Sequence, residues 1–272
     1  MEQNKGTQNT KKKKRGVKPV RKPYLKGNTY SLFALKRSGR VFLLYFAFMF
    51  FFLLIGASLS FDNAVLNLIL NAGAVVATVG MVYMDGLRHG DTDVSVGEIV
   101  YLRKESNREI DPEDMNRSYH PVKGILTALV GVSPFLLMAL VHALCAEPQH
   151  YTLGMLPGWV GSVTAEEVQL PLDYYNREYA FTLVDLVRIL SRLSLMPYVN
   201  IVTTDNVQGL FLVDRLSPIL IALPAIGYVA GYLRGPVSRA YTHGNIAANT
   251  RRHKRKQMKE RKARQSQNKQ II

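Results

Sequence analysis

Residues 41–84 read VFLLYFAFMFFFLLIGASLSFDNAVLNLILNAGAVVATVGMVYM, with Asp62 as their only charge. The turn Ser60-Phe61-Asp62-Asn63 divides this run into two uncharged segments, 41–59 and 64–84. Each has the length that crosses a ~30 Å hydrocarbon layer as a helix rising ~1.5 Å per residue. Hydrocarbon offers no partner to a free backbone amide, so each segment must satisfy its polar groups internally, as a helix. So short a connection folds the pair into an antiparallel hairpin. Two further uncharged segments, 124–145 and 216–233, repeat the pattern. The expected fold is all-α: a polytopic transmembrane bundle of four spans (41–59, 64–84, 124–145 and 216–233), with a loop over 85–123 and a cap over 146–215. An amphipathic helix on the outer surface and disordered basic tails at 1–40 and 234–272 complete it.

Charge assigns the sides. Residues 1–40 hold 13 basic residues against one acid, residues 234–272 hold 12 against one, and the 193 residues between them are net acidic. Lys36, Arg37, Arg40, Arg88, Lys123, Arg234 and Arg239 cluster at one set of helix ends, whereas the 60–63 turn has no basic residue. An excess of Lys and Arg marks the cytoplasmic side. The expectation is a multi-pass plasma-membrane protein with both termini and the 85–123 loop cytoplasmic and 146–215 outside. The basic leader and the Gly56-Ala57-Ser58 tract suggest a signal peptide, but a second apolar segment follows at once, so the first span is read as uncleaved. A single cysteine, Cys145, excludes an internal disulfide framework and a Cys-rich metal site.

The outer segment divides in two. Residues 146–175 carry Pro148, Pro157, Pro171, Trp159, Tyr151 and Tyr174 with several glycines, the composition of an irregular aromatic cap. From Asn176 to Met196 apolar Leu183, Val184, Val187, Leu190 and Leu193 segregate from Asp185, Arg188 and Arg192, the pattern of an interfacial helix or a lid over the bundle, with a fifth span as the alternative that its three charges and the matching charge of the tails oppose.

Polar residues in membrane spans are costly, so each asks for a reason. Asn67 and Asn71 lie four apart on one face of the second span, and His142 lies at a similar depth in the third. They read either as a polar intramembrane face for a substrate or as hydrogen-bonding glue between helices, and glue is the commoner use. The absence of a buried carboxylate or lysine beside them weighs against proton-coupled transport. Gly73 and Ala77, and Gly227 and Gly231, form small-residue rows that let helix backbones approach. The nine acids between Asp85 and Asp114 match no metal pattern: Asp111-Pro112-Glu113-Asp114-Met115-Asn116 lacks the glycine that a calcium loop needs at its sixth position. They read instead as a solvated acidic loop pairing loosely with the basic tails. No metal and no cofactor is expected.

The tails carry Lys11, Lys12, Lys13, Lys14 and Arg15 at one end and Arg251, Arg252, Lys254, Arg255 and Lys256 at the other, candidate polyanion-binding residues. The first ~30 residues lack the apolar content to fold alone, whereas 246–264 has the composition of a helix with no apolar face. Anionic lipid headgroups suit such tails best. RNA or a ribosome comes next, then an acidic protein surface, against the plain alternative that the tails only set topology.

No enzyme motif is complete. Gly131-Val132-Ser133-Pro134 lacks the closing glycine of intramembrane serine proteases, Glu166-Glu167 lacks the arginine of membrane prenyl-protein proteases, and Asp85-Gly86-Leu87-Arg88 lacks the later aspartates of the alcohol phosphatidyltransferases. The acidic stretch running into Lys123-Gly124-Ile125-Leu126 with Pro134 beyond it, and Pro224 followed by Gly227-Tyr228 and Gly231-Tyr232, resembles uncharacterised four-span integral membrane proteins of Gram-positive bacteria. That resemblance covers 85–145 and 216–235, and implies a bundle but no activity. The leading expectation is a non-enzymatic adaptor or assembly factor presenting polybasic tails at the cytoplasmic leaflet. A small permease or transporter subunit is the alternative, and a membrane enzyme acting on lipid comes third.

Overall fold

A computed structural model describes residues 18–56, 61, 63–146, 183–202 and 206–269, the last eight by backbone alone. The described residues are helical wherever they are regular. The chain divides into two compact units, Tyr24–Gly235 and a second made of Met1–Pro23 with Pro236–Ile272.

In the first unit four long helices are apolar enough to cross a membrane: α1 (Leu32–Ile55), α2 (Ala64–Glu105), α4 (Pro121–Leu144) and α7 (Val207–Leu233). Three shorter ones join them, α3 (Pro112–Arg117), α5 (Leu183–Ser194) and α6 (Met196–Val202). This is a membrane protein, and its surface agrees. Leu54, Val65, Ile69, Val76, Leu137 and Ile219 are each more than half exposed, an apolar belt that suits hydrocarbon and not water. The helix starts are legible in their caps. Ser31 Oγ accepts from Ala34 N, Asn63 Oδ1 from Val65 and Leu66 N, Asn206 Oδ1 from Gly209 N, and Pro121 follows its cap, His120, at a position where a missing N–H costs nothing.

Every long helix overruns the uncharged segment that identified it. α1 begins nine residues before Val41 and takes in Lys36, Arg37 and Arg40; α7 begins nine before Leu216 and takes in Asp214 and Arg215. The largest correction concerns 85–123. Its first half is not loop: α2 runs unbroken for 42 residues, about 63 Å at 1.5 Å per residue. Val82, Asp85, Gly86, Gly90, Asp93, Val94, Gly97 and Glu98 are buried along it, a stripe with helical spacing. Three of the acids that look solvated in sequence, Asp85, Asp93 and Glu98, are therefore buried along α2, whereas Glu105, Glu109, Asp111 and Glu113 are exposed. α2 ends at Ser106 and Asn107, whose φ of 51° is tolerated by asparagine at a helix terminus. Residues 24–28 are likewise held, not disordered: Leu25 N donates to Gly97 O at 3.0 Å, Gly27 N to Tyr119 O at 3.0 Å and Asn28 N to Met115 O at 3.2 Å.

The core runs along the bundle axis through Val41, Tyr45, Val82, Val132, Phe135, Ile221, Tyr228 and Tyr232. α2 and α7 cross closest, on glycine. A Cβ at Gly231 would strike the Tyr83 carbonyl oxygen, one at Gly227 would lie 3.0 Å from Val79 Cγ1, and ones at Gly86 and Gly90 would strike the carbonyl oxygens of Tyr228 and Tyr232. Gly73, by contrast, has nothing within 4 Å of its Cβ position, and Ala77 is exposed. The Gly227/Gly231 row packs the monomer and the Gly73/Ala77 row faces outward. Gly231→Val should lower stability by about 1–3 kcal/mol, because backbone on the far side cannot give way. Gly73→Ala should leave stability unchanged or raise it by up to about 1 kcal/mol through helix propensity. Denaturant titration in mild detergent, read by circular dichroism, checks both.

In the second unit, the C-terminal tail is not disordered over Gly235–Lys269, which form α8, 35 residues long. Ala, Lys, Arg, Gln and Met favour that state. Val20 N donates to Ala240 O at 2.9 Å, so the end of the N-terminal tail, with Lys18, Arg21 and Lys22, lies against the start of α8.

Candidate functional site

Three polar assemblies stand out. The first joins all four long helices at the end of the bundle where α1 begins. Asp93 of α2, fully buried, accepts from both Arg37 Nη atoms of α1 at 2.7 Å, a bidentate pair, and from the Tyr232 hydroxyl of α7 at 2.7 Å. Lys123 of α4 is also fully buried, with Nζ 4.0 Å from Asp93 Oδ2. That ammonium donates to the carbonyls of Asn116, at 3.0 Å, and Ser118. Tyr119 stacks on Tyr232 at 5.2 Å, and burial beside Tyr24 and Asp93 pushes its phenol up to about 12, so it stays neutral. About two turns back along α2, Asp85 pairs with Arg40 at 3.0 Å and with His89 at 3.4 Å, and His89 Nδ1 lies 3.1 Å from the Tyr228 hydroxyl. Both Asp93 oxygens are occupied by charge-assisted donors, which makes this carboxylate a clamp, not a base or nucleophile.

The second assembly lies at the other end. Asp214 of α7, 3% exposed, holds His142 Nε2 of α4 at 3.0 Å and Arg192 Nη2 of α5 at 2.8 Å. This corrects two expectations. His142 does have a buried carboxylate beside it. Arg192, placed by its sequence on the polar face of an interfacial helix, turns inward, while Leu183 of the expected apolar face is 80% exposed. Ser191 Oγ, next to Arg192, is buried without a hydrogen-bond partner among the described residues.

The third holds Asn67 and Asn71, which do meet, though not with His142. Asn71 Nδ2 donates to Asn67 Oδ1 at 2.7 Å, Asn67 Nδ2 to the Asn200 carbonyl of α6 at 2.6 Å, and Asn200 Nδ2 to the Gly56 carbonyl at 2.9 Å and Asn71 Oδ1 at 3.3 Å. The ring ties α2 and α6 to the end of α1, the glue use of such residues. Between the two ends lies a small cavity of about 40 Å³, lined chiefly by Tyr45, Phe52, Val75, Thr78, Ile221 and Pro224.

On α8, Arg251, Arg252, Lys254, Arg255 and Lys256 are all exposed, and Lys256 reaches Glu260 at 4.0 Å. Lys11 to Arg15, residues 147–175 of the aromatic cap and residues 176–182 of the expected amphipathic helix lie outside the described residues. Among the described residues no group of three His, Cys, Asp or Glu is placed to hold a metal ion.

Sequence reasoning missed Asp93, Lys123, Arg37, Asp214, Arg192 and Asn200 as interior residues. A signal existed for Asp214: Leu210, Asp214, Ser217 and Ile221 repeat at three and four, and all are buried. No protein-family profile, no curated protein and no solved structure matches this chain.

Proposed function

We propose that this chain is a non-enzymatic adaptor of the plasma membrane, both tails cytoplasmic, whose bundle anchors a polybasic helix that holds a polyanion near the inner leaflet. One observation carries the reading. Between Arg251 and Arg261, α8 presents seven exposed Lys and Arg against one acid, Glu260, with no apolar face. Over about 15 Å of axis at 1.5 Å per residue, that is a cation about every 2 Å, close to the phosphate spacing of a nucleic-acid duplex, ~1.7 Å along its axis. A helix charged this way does not insert apolar side chains among lipids, as interfacial helices do. Its attraction is electrostatic, about 1 kcal/mol for each basic residue at an anionic surface. In the bundle Asp93 pairs with Arg37 and Tyr232, and Asp214 with His142 and Arg192, contacts that suit an anchor.

The experiment compares the full chain with a variant lacking residues 246–272, purified in mild detergent with and without nuclease at low and high salt. The expected result is a polyanion that co-purifies only with the full chain and is lost as salt rises. Nuclease-sensitive recovery identifies RNA, and nuclease-resistant recovery identifies anionic lipid or acidic protein. Identical, clean preparations overturn the adaptor reading and leave the tails as topology signals.

A small permease is the second reading, favoured by the Asp214–His142 pair, since a buried carboxylate and imidazole are the groups a proton relay uses.

A further inference from the structure

At the start of α1 a notch of about 490 Å³ opens against α3. Tyr30, Phe33 and Lys36 line one side and Glu113, Asn116 and Arg117 the other. We propose that this notch binds the phosphate of an anionic glycerophospholipid, whose acyl chain lies along the outer face of α1. The inference rests on the membrane spans and not on the polyanion reading of the tail.

Two cations face the notch. Lys36 is exposed and has no carboxylate partner among the described residues. Arg117 is held in place without being used up. Its guanidinium sits 5.4 Å from the Phe33 ring centroid, and a single exposed bond to Glu113 Oε2 at 3.4 Å leaves donors free. Lys36, Arg117 and Glu113 sum to one positive charge, which a phosphodiester would neutralise. Asn116 Oδ1 accepts from Asn28 Nδ2 at 2.8 Å, so its side-chain amide N–H groups are available as donors. No acid lies in the first turn of α1 to oppose an anion there.

What distinguishes a lipid from a free phosphate is the surface below. Counting 100° per residue, Leu35, Gly39, Leu43, Phe46 and Phe50 share the helix face that carries Lys36. All five are exposed, and the Cβ position of Gly39 meets nothing within 4 Å. The face is therefore an apolar track with a dip just beneath the lysine. From Gly39 to Phe50 it runs about 16 Å at 1.5 Å per residue, matching the ~15 Å of hydrocarbon in one leaflet of a ~30 Å core. A cationic notch between helices above such a track is the arrangement that retains acidic phospholipids.

The test uses the full chain, delipidated in detergent and titrated with dioleoyl phosphatidylglycerol, dioleoyl phosphatidylcholine or inorganic phosphate, with bound species counted by native mass spectrometry. One phosphatidylglycerol per chain is expected to bind at least tenfold more tightly than phosphatidylcholine. Lys36→Gln with Arg117→Gln should weaken it about tenfold or more, and Gly39→Leu, which fills the dip, should weaken it without touching the cations. Arg88→Gln with Arg108→Gln removes the same charge from exposed positions outside the notch and should leave the lipid bound. Unchanged thermal unfolding of each variant shows that the fold is kept. Equal loss in the two double variants means diffuse electrostatics and overturns the proposal, as does equal binding of the two lipids. Inorganic phosphate that displaces the lipid, with Gly39→Leu silent, assigns the notch to soluble phosphate and overturns the lipid.

Discussion

Replacing Asp93 with leucine is expected to lower the stability of the bundle by about 3–5 kcal/mol, the range for a buried ion pair that loses one partner. The carboxylate is fully buried and carries both Arg37 nitrogens and the Tyr232 hydroxyl, with Lys123 4.0 Å away. Without it, a guanidinium only 9% exposed and a fully buried ammonium face each other with no counter-charge. Lys123 retains its two carbonyl acceptors, so the larger penalty falls on Arg37. The double variant Arg37→Met, Asp93→Leu removes the stranded charge and should recover most of the loss, since a hydrophobic pair of similar volume often replaces a buried ion pair at little cost. Unfolding by sodium dodecyl sulfate titrated into dodecyl maltoside micelles measures both. A single-variant loss under about 1 kcal/mol would mean that water screens the pair as at a surface, and the clamp would be wrong.

That clamp also explains what the sequence hides. Spans are found by looking for windows without charge, and such windows, bounded here by Arg40, Asp85, Lys123 and Arg215, leave out Arg37, Asp93, Lys123 and Asp214. Each of these is neutralised or satisfied by a partner on another helix, Arg37 by a residue 56 positions away and His142 by one 72 positions away. A one-dimensional pattern carries no record of such pairs, so charged turns of helix read as loop. Local spacing is recovered better: Asn67 and Asn71 are four apart and do bond. Spacing alone cannot choose a partner, however. Gly73/Ala77 and Gly227/Gly231 look alike as rows, yet α7 places its row on α2 while the α2 row points away. The basic tails are plain in the composition, but their helical state over 235–269 and the strap at 24–28 depend on length and on contacts with α2 and α3.

Asp214→Leu should cost a similar ~3–5 kcal/mol where Arg192 is left buried without its counter-charge, but the damage should be distributed differently. Asp93 joins four long helices, whereas Asp214 joins α4 and α7 to α5, a helix of 12 residues. Apart from Arg192, α5 is held mainly by partly buried side chains on α4 and α1, so it has less to lose by opening than the long helices. Amide hydrogen exchange over 183–202 should therefore accelerate by a factor of ten or more in Asp214→Leu, while exchange in α2 around Asp93 changes little. Asp93→Leu should accelerate exchange throughout the bundle. His142→Gln keeps a donor toward Asp214 and should cost under about 1 kcal/mol, which separates the Arg192 contact from the imidazole. The same residues decide between the two functional readings. Asp214→Asn retains side-chain volume, so if proteoliposomes carrying the parent chain move protons and the asparagine variant does not, at equal folded content, the carboxylate is a relay and the permease reading gains its site. If neither moves protons and exchange over 183–202 still accelerates, Asp214 is a fastener that keeps α5 on the bundle, and a closed anchor for the basic helix is the reading left standing.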